Sequence, residues 1–189
     1  MSKQTNLRSL TESAICVAAA VVLSLFTLFT MPLGGSVTPF ATLPIIIIGL
    51  RHGSKWGVSA ALVFSMTQLL LGMGNVLAVP VKTFGNLALC AMLDYVLAYT
   101  VLGFTGALYR RFQQRWLGLC IAIGLTGLCR MACSVISGIV VWGPYAPEGW
   151  DIAAYSFAYN ALWCVPDTAM VLIACLALTQ VRKLELLPS

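Results

Sequence analysis

Histidine and acidic side chains are scarce in this chain: His52 is the one histidine, and Asp and Glu together number 6 in 189 residues. Metal centres are built from clustered His, Cys, Asp and Glu, so little is left from which to build one. There are 7 cysteines (Cys16, Cys90, Cys120, Cys129, Cys133, Cys164 and Cys175), and each falls inside an apolar run. There they read as small hydrophobes packed in nonpolar surroundings. Cys129 and Cys133 share a helix face, but no histidine lies near them in the sequence. No G-x-x-x-x-G-K-[ST] occurs, so there is no P-loop with which to use ATP. H-E-x-x-H, G-x-S-x-G and paired catalytic carboxylates are missing as well. The expectation is a protein that is not an enzyme and carries no cofactor. Charge is equally thin, at 9% of residues against 60% hydrophobic, where a typical soluble domain has roughly 25% charged. A small soluble fold leaves a large share of its chain exposed and could not hide that much apolar surface. The net charge of +5 sits in short clusters between apolar runs. A nucleic-acid-binding face would instead show a basic stripe with interleaved aromatics, so nucleic acid is excluded as a partner.

What the chain does have is a series of long apolar runs, and a lipid bilayer is their natural surround. The predicted fold class is an all-α integral membrane protein, multi-pass in a cell membrane, with six transmembrane helices in a single domain over residues 1–189. The spans run from about Leu10 to Met31, Val37 to Leu50, Trp56 to Leu71, Phe84 to Tyr109, Trp116 to Trp142 and Ile152 to Val181. The first run is long and has no small-residue cleavage pattern, so it reads as a retained span. With the N-terminus inside, the inner segments hold Lys3, Arg8, Arg51, Lys55, Arg110, Arg111, Arg115, Arg182 and Lys183, and the outer ones only Lys82. Positive residues concentrate on the cytoplasmic side, so both termini are predicted to be cytoplasmic. The second span is short: about 14 residues give only ~21 Å of helix against a ~30 Å core. Its glycine-rich approach is expected to fold back over the outer face as a lid.

Deep in the spans lie three ionisable residues, Asp94, Arg130 and Asp167. Such groups are costly in lipid and are usually paired or functional. Each lies about 15 to 22 Å along its helix from the outer end at 1.5 Å per residue, so the three could meet. One reading is an Arg130–carboxylate pair that merely holds helices together; the other gives Asp94 a ligand. On the fifth span Arg130, Ser134, Gly138 and Trp142 recur every four residues and share one face. That face reads equally well as a packing stripe or as a pocket wall. On the sixth, Asn160, Trp163 and Asp167 share a face too polar for lipid, which should look inward. Tyr155 lies off that stripe and is expected at the helix mouth near Trp142. On the first span, Ala14 and Ala18 are small residues four apart, a spacing that permits close helix contact.

The stretch from Arg130 to Asn160 reads RMACSVISGIVVWGPYAPEGWDIAAYSFAYN. It resembles the thiamine-specific substrate-binding (S) component of energy-coupling factor (ECF) vitamin transporters. In that family an R-x-x-x-H-x-x-x-G-x-x-x-W-G-x-Y-A-P-x-G segment leads to Y-S-x-x-x-N. Further agreement comes from Gly34-Gly-Ser-Val-Thr38, Leu43-Pro44, Leu50-Arg51-x-Gly53, Asp94-Tyr95 and Pro166-Asp167, so the likeness spans nearly the whole chain. It implies a six-helix subunit of a bacterial plasma membrane that binds thiamine or a relative. The implied partners are an ECF module of one transmembrane coupling protein and two ATPases, docked on helix 1 through Ala14 and Ala18. The implied substrate-binding residues are Asp94, Tyr95, Ser134, Gly138, Trp142, Tyr155 and Asn160. Two of them depart from the family pattern: Asp94 stands for a Glu, and Ser134 for a His. A tryptophan of the first outer loop in some members has no counterpart; Phe40 is the nearest aromatic. A roomier pocket, or a different or larger ligand, is expected at Ser134. A stand-alone secondary transporter, with Asp94, Arg130 and Asp167 as an ion relay, is the alternative from another class. A small intramembrane enzyme has no nucleophile–base pair to support it.

Overall fold

The computed structural model describes the backbone of residues 3–180 and the side chains of residues 7–179. Arg182, Lys183 and the end of the sixth predicted span at Val181 lie outside the described residues, as does the side chain of Lys3. The chain is mostly helical. Helix α1 covers Lys3–Ser24, α2 Leu43–His52, α3 Ser54–Leu71, and a short α4 Met73–Leu77. The long helices follow: α5 over Phe84–Tyr109, α6 over Arg115–Val140 and α7 over Ile152–Gln180. Four segments are long and apolar enough to cross a bilayer: Leu7–Ser24 of α1, all of α5 and α6, and Ile152–Thr179 of α7. The burial pattern is that of a protein in lipid. Large apolar side chains such as Leu70, Leu128, Phe157, Leu162 and Ile173 point outward, while Ser65, Thr105, Thr126, Arg130, Ser137, Asn160 and Asp167 are buried. Polar groups face one another because hydrocarbon offers them no hydrogen bonds; the hydroxyls of Thr105 and Thr126, for example, pair at 3.1 Å.

Two predicted spans come out shorter than expected. Helix α1 stops at Ser24, not Met31, because Phe29–Thr30 (β1) pairs antiparallel with Ser36–Val37 (β2). Helix α2 starts at Leu43, not Val37. Pro39 disfavours helical backbone at the residue before it, Phe40 has φ 60°, and Pro44 sits in the first turn, where its missing N–H costs nothing. The apolar stretch between Leu25 and Thr42 is therefore a hairpin and turns, with a single 3-10 turn at Pro32–Gly34, and not α-helix.

Gly53, at φ 88°, reverses the chain between α2 and α3. At this end of the bundle Glu12 pairs with Arg8 of its own helix at 2.8 Å and ties α1 to α2 through His52 Nε2 at 2.7 Å and Arg51 at 3.5 Å. The Arg110 guanidinium lies beside Gly53. Helices α2, α3 and α5 meet backbone to backbone at Gly49, Gly57, Gly103 and Gly106, where a methyl group would run into a neighbouring main chain. Helices α6 and α7 approach closely at Gly127, against Thr168, and at Gly138, against Ser156.

Candidate ligand-binding cavity

Away from the basic turns, the first halves of α5 and α7 and the second half of α6 enclose a cavity. Its volume is about 130 Å³. Along α6 and just past its end the wall is Arg130, Ser134, Gly138 and Trp142, the four-residue repeat seen in the sequence. Helix α5 supplies Cys90, Asp94, Tyr95 and Tyr99; α7 supplies Tyr155, Ser156, Tyr159, Asn160 and Trp163. All seven residues expected at a binding site therefore line one space. Within α5 the segment Ala91–Leu97 is wound as a π-helix. Its i→i+5 hydrogen bonding makes five residues close to one turn, which lets Asp94 and Tyr99 both face the cavity.

Asp94 is the electrostatic centre of this site. Its Oδ2 accepts from the Ser137 hydroxyl at 2.6 Å, the Trp142 indole N–H at 3.2 Å and the Cys90 thiol at 3.4 Å. All three donors are neutral, Oδ1 receives none of these bonds, and no salt bridge to Asp94 forms among the described residues. Arg130 does not reach it. Instead Arg130 Nη1 donates to Asp167 Oδ2 at 2.5 Å, and both side chains are buried. The three deep ionisable groups thus divide into a neutralised pair and a lone carboxylate. With Arg130 and Asp167 cancelling, the cavity carries the charge of Asp94. A buried carboxylate without a counter-charge is poorly solvated, so the site suits a cation.

Tyr95, Tyr99, Trp142, Tyr155, Tyr159 and Trp163 line the same cavity. Trp142 lies 6.1 Å from Tyr145, and Tyr155 lies 6.2 Å from Trp150 and 6.1 Å from Tyr159, centroid to centroid. Tyr155 stands in the first turn of α7, in ring contact with Trp150 and Tyr159, and lines the same cavity as Trp142. Such rings attract organic cations. Asn160 is largely committed to the protein: its amide donates to Ser134 O at 3.3 Å and Ser156 O at 2.9 Å, and its Oδ1 accepts from Trp163 Nε1 at 3.2 Å. One acceptor lone pair remains. Gly138 serves the packing of α7 as much as the cavity, since any side chain there would strike Ser156. Phe40 takes no part in the lining.

One mouth of the cavity is covered by the β1–β2 hairpin, whose Leu33, Gly34, Gly35 and Ser36 complete the lining. Leu33 and Gly34 turn the chain at φ 70° and 103°, the left-handed region natural to glycine and strained for leucine. The turn is held on both sides. The Tyr159 hydroxyl accepts from Gly35 N at 3.1 Å and donates to Pro32 O, while the Asn75 side chain from α4 packs against Gly34. Sequence reasoning missed Tyr159, Tyr99, Ser137, Cys90 and Asn75. Tyr159 carried a usable signal, four residues after Tyr155 on one face; Ser137 lies seven after Arg130. Tyr99 was hidden by the π turn, and Asn75 lies in a five-residue helix with no period to read.

Residues 10–186 match the family described as thiamine transporter protein (Thia_YuaJ). A thiamine transporter of Bacillus subtilis (strain 168), ThiT, is 30% identical over 198 residues, covering 98% of each chain. The chain belongs to the thiamine transporter family. A second relative in that family, the thiamine transporter ThiT of Lacticaseibacillus paracasei, is 25% identical over 185 residues, covering 92% of this chain and 87% of its own. The solved structure of ThiT from Listeria monocytogenes shares the fold, with TM-score 0.76 at 22% identity over 97% of this chain and 100% of that one. The family is one of transporters, and membership agrees with the apolar helices: this is a multi-pass cell membrane protein.

Proposed function

We propose that this protein is the high-affinity substrate-binding membrane subunit of an ATP-driven uptake transporter for thiamine or a thiamine-related compound, and not an enzyme. One observation carries the reading of the site: Asp94, held by three neutral donors and without a counter-cation, faces an aromatic-walled cavity. Thiamine brings a thiazolium cation for that charge and an aminopyrimidine able to donate to carboxylate or carbonyl oxygen. Asp94, Tyr95, Ser134, Gly138, Trp142, Tyr155 and Asn160 form the binding site in this reading. Ser134 is buried and small, and it leaves room for a substituent on the ligand.

The chain forms one domain that crosses the membrane six times, with both termini cytoplasmic. Helix α2 and the hairpin together make the short second crossing, and the cavity opens to the outside beneath the hairpin lid. The basic residues at the Glu12 end support this orientation. Ala14 and Ala18 are exposed on α1, while Cys16, Val17, Ala20 and Val21 pack inward. That free face is the docking surface for a transmembrane coupling protein, which two ATPases drive.

Purified protein titrated with thiamine is expected to show quenching of tryptophan fluorescence, because Trp142 and Trp163 line the cavity. Trp142→Ala is expected to weaken binding by about 10-fold, from a cation–π contribution of ~0.5 to 2 kcal/mol and the lost hydrogen bond to Asp94. An unquenched protein that binds another small molecule would sink the thiamine reading. Uptake into vesicles should require the coupling protein, the ATPases and ATP. Uptake by the isolated chain on an ion gradient would establish a stand-alone secondary transporter instead.

The lid gives a kinetic prediction. Tyr159→Phe removes both hydrogen bonds that hold the hairpin to α7, each worth about 1 kcal/mol. Dissociation of bound thiamine, followed by stopped-flow fluorescence, is expected to speed up by about tenfold, with a smaller change in association. An unchanged dissociation rate would show that the hairpin does not gate the site.

A further inference from the structure

The Arg130–Asp167 pair is made in an unusual way. Arginine–carboxylate pairs are frequently bidentate, two parallel N–H···O bonds in one plane. Here only Nη1 and Oδ2 meet, at 2.5 Å, and both Arg130 Nε and Asp167 Oδ1 are buried without a hydrogen-bond partner. Asp167 is fully buried and does not touch the cavity, whereas Arg130 lines it. Two aromatic rings fix the guanidinium: its Cζ lies 4.8 Å from the Tyr99 ring centroid and 5.0 Å from that of Trp163. With two rings beside it and one nitrogen tied to Asp167, Arg130 still lines the cavity and keeps a buried N–H, at Nε, without a protein acceptor. Leaving a buried charged donor unpaired is costly, and the arrangement makes physical sense if the missing acceptor arrives with the ligand.

The position of this donor is set by α6. Asp94 is level with Ser137, which bonds it at 2.6 Å, and Arg130 lies seven residues earlier on the same helix. Two turns of helix place the guanidinium about 10 Å deeper in the bundle than the carboxylate. We propose that Arg130 is a further ligand-contacting, specificity-determining residue, donating to an acceptor atom on the part of the ligand remote from its cation. Asp167 is its positioning residue. The chemistry recognised is a cation joined, across about 10 Å, to a group bearing a ring nitrogen, a hydroxyl oxygen or a phosphoryl oxygen. This inference rests on the reading of Asp94 as the partner of a ligand cation.

The test is isothermal titration of the purified full-length protein with three probes. They are thiamine, thiamine monophosphate and a benzyl-substituted thiazolium, a cation that lacks the pyrimidine nitrogens and the hydroxyl. Two variants are compared with the parent chain. Arg130→Lys keeps the charge and the Asp167 pair but loses the planar fork. The double variant Arg130→Met with Asp167→Met removes both charges together, which a fold tolerates far better than stranding one of them. Both variants are expected to bind thiamine, its monophosphate or both at least tenfold more weakly, while affinity for the bare thiazolium changes less than twofold. An equal loss for thiamine and its monophosphate assigns the acceptor to the ring or hydroxyl; a much larger loss for the monophosphate assigns it to phosphoryl oxygen. Equal weakening of all three probes, or no weakening of either thiamine or its monophosphate, would overturn the proposal and leave the pair a structural strut. Parent protein that binds neither thiamine nor the thiazolium would overturn the cation reading at Asp94, and this inference with it.

Discussion

Asp94→Asn is expected to weaken thiamine binding by two to three orders of magnitude, about 3 to 4 kcal/mol. That is the range found when one partner of a buried charge pair is truncated. Three donors, Ser137, Trp142 and Cys90, converge on Oδ2. An asparagine can turn its carbonyl oxygen to the same three donors, so the cavity wall keeps its shape. Its NH₂ then takes the place of Oδ1 and presents a donor to a cation, replacing attraction with repulsion. The thermal midpoint of the ligand-free variant should consequently stay within a few degrees of the parent, and the loss should be confined to binding. Calorimetry on the two proteins measures it. Tight thiamine binding by the Asn variant would show that the cation is recognised elsewhere. Asp94→Ala is expected to lose as much affinity and some stability too, because it leaves three donors facing an empty space.

Gly106→Val is expected to prevent folding or to lower stability by about 3 kcal/mol or more, at the upper end of what overpacking costs. A Cβ at this position would land on the main chain of Gly49, and Gly57 and Gly103 are in similar mutual contact. Backbone cannot move aside as a side chain can, so the strain is relieved only by separating α2, α3 and α5. Those helices carry the core of Ile45, Ile48, Ala60, Ala61 and Phe64 against α1, and of Ile46, Leu50 and Leu102 against α6 and α7. Gly124→Ala is the control: nothing lies within 4 Å of a methyl group there, and alanine is the better helix former by about 1 kcal/mol. Thermal unfolding of the two variants in detergent separates the cases. A Gly106→Val protein as stable as the parent would mean that the three helices do not need this contact.

Much of the site is legible in the sequence. The wall of α6 can be read because Arg130, Ser134, Gly138 and Trp142 are spaced four apart, and a helix puts such residues on one face whatever surrounds it. The inward face of α7 follows from Asn160 and Asp167 standing where lipid would reject them. The bonds made by these residues are not legible in the same way. Arg130 has two carboxylates within plausible reach, and its choice of Asp167 over Asp94 depends on how α5, α6 and α7 are rotated about their axes. Asp94 takes its donors from positions four, 43 and 48 residues away. Tyr99 joins the cavity only because α5 contains a π turn, and no residue type announces one.

The same division holds for the fold. The sequence by itself determined that this chain lives in a membrane, where its four long apolar helices lie, and which faces of α6 and α7 carry polar groups. Transfer into lipid is close to a sum over residues, and helical periodicity is a property of one segment, so both can be read locally. Only the tertiary structure decided that the glycine-rich approach to α2, expected as a lid, takes the form of a β-hairpin, that four glycines bring α2, α3 and α5 backbone to backbone, and that Asp94 stands alone while Arg130 and Asp167 pair. Each of these is a contact between groups far apart in the chain, chosen by packing and by which buried polar atoms could find a partner. That choice has no expression in any single stretch of sequence.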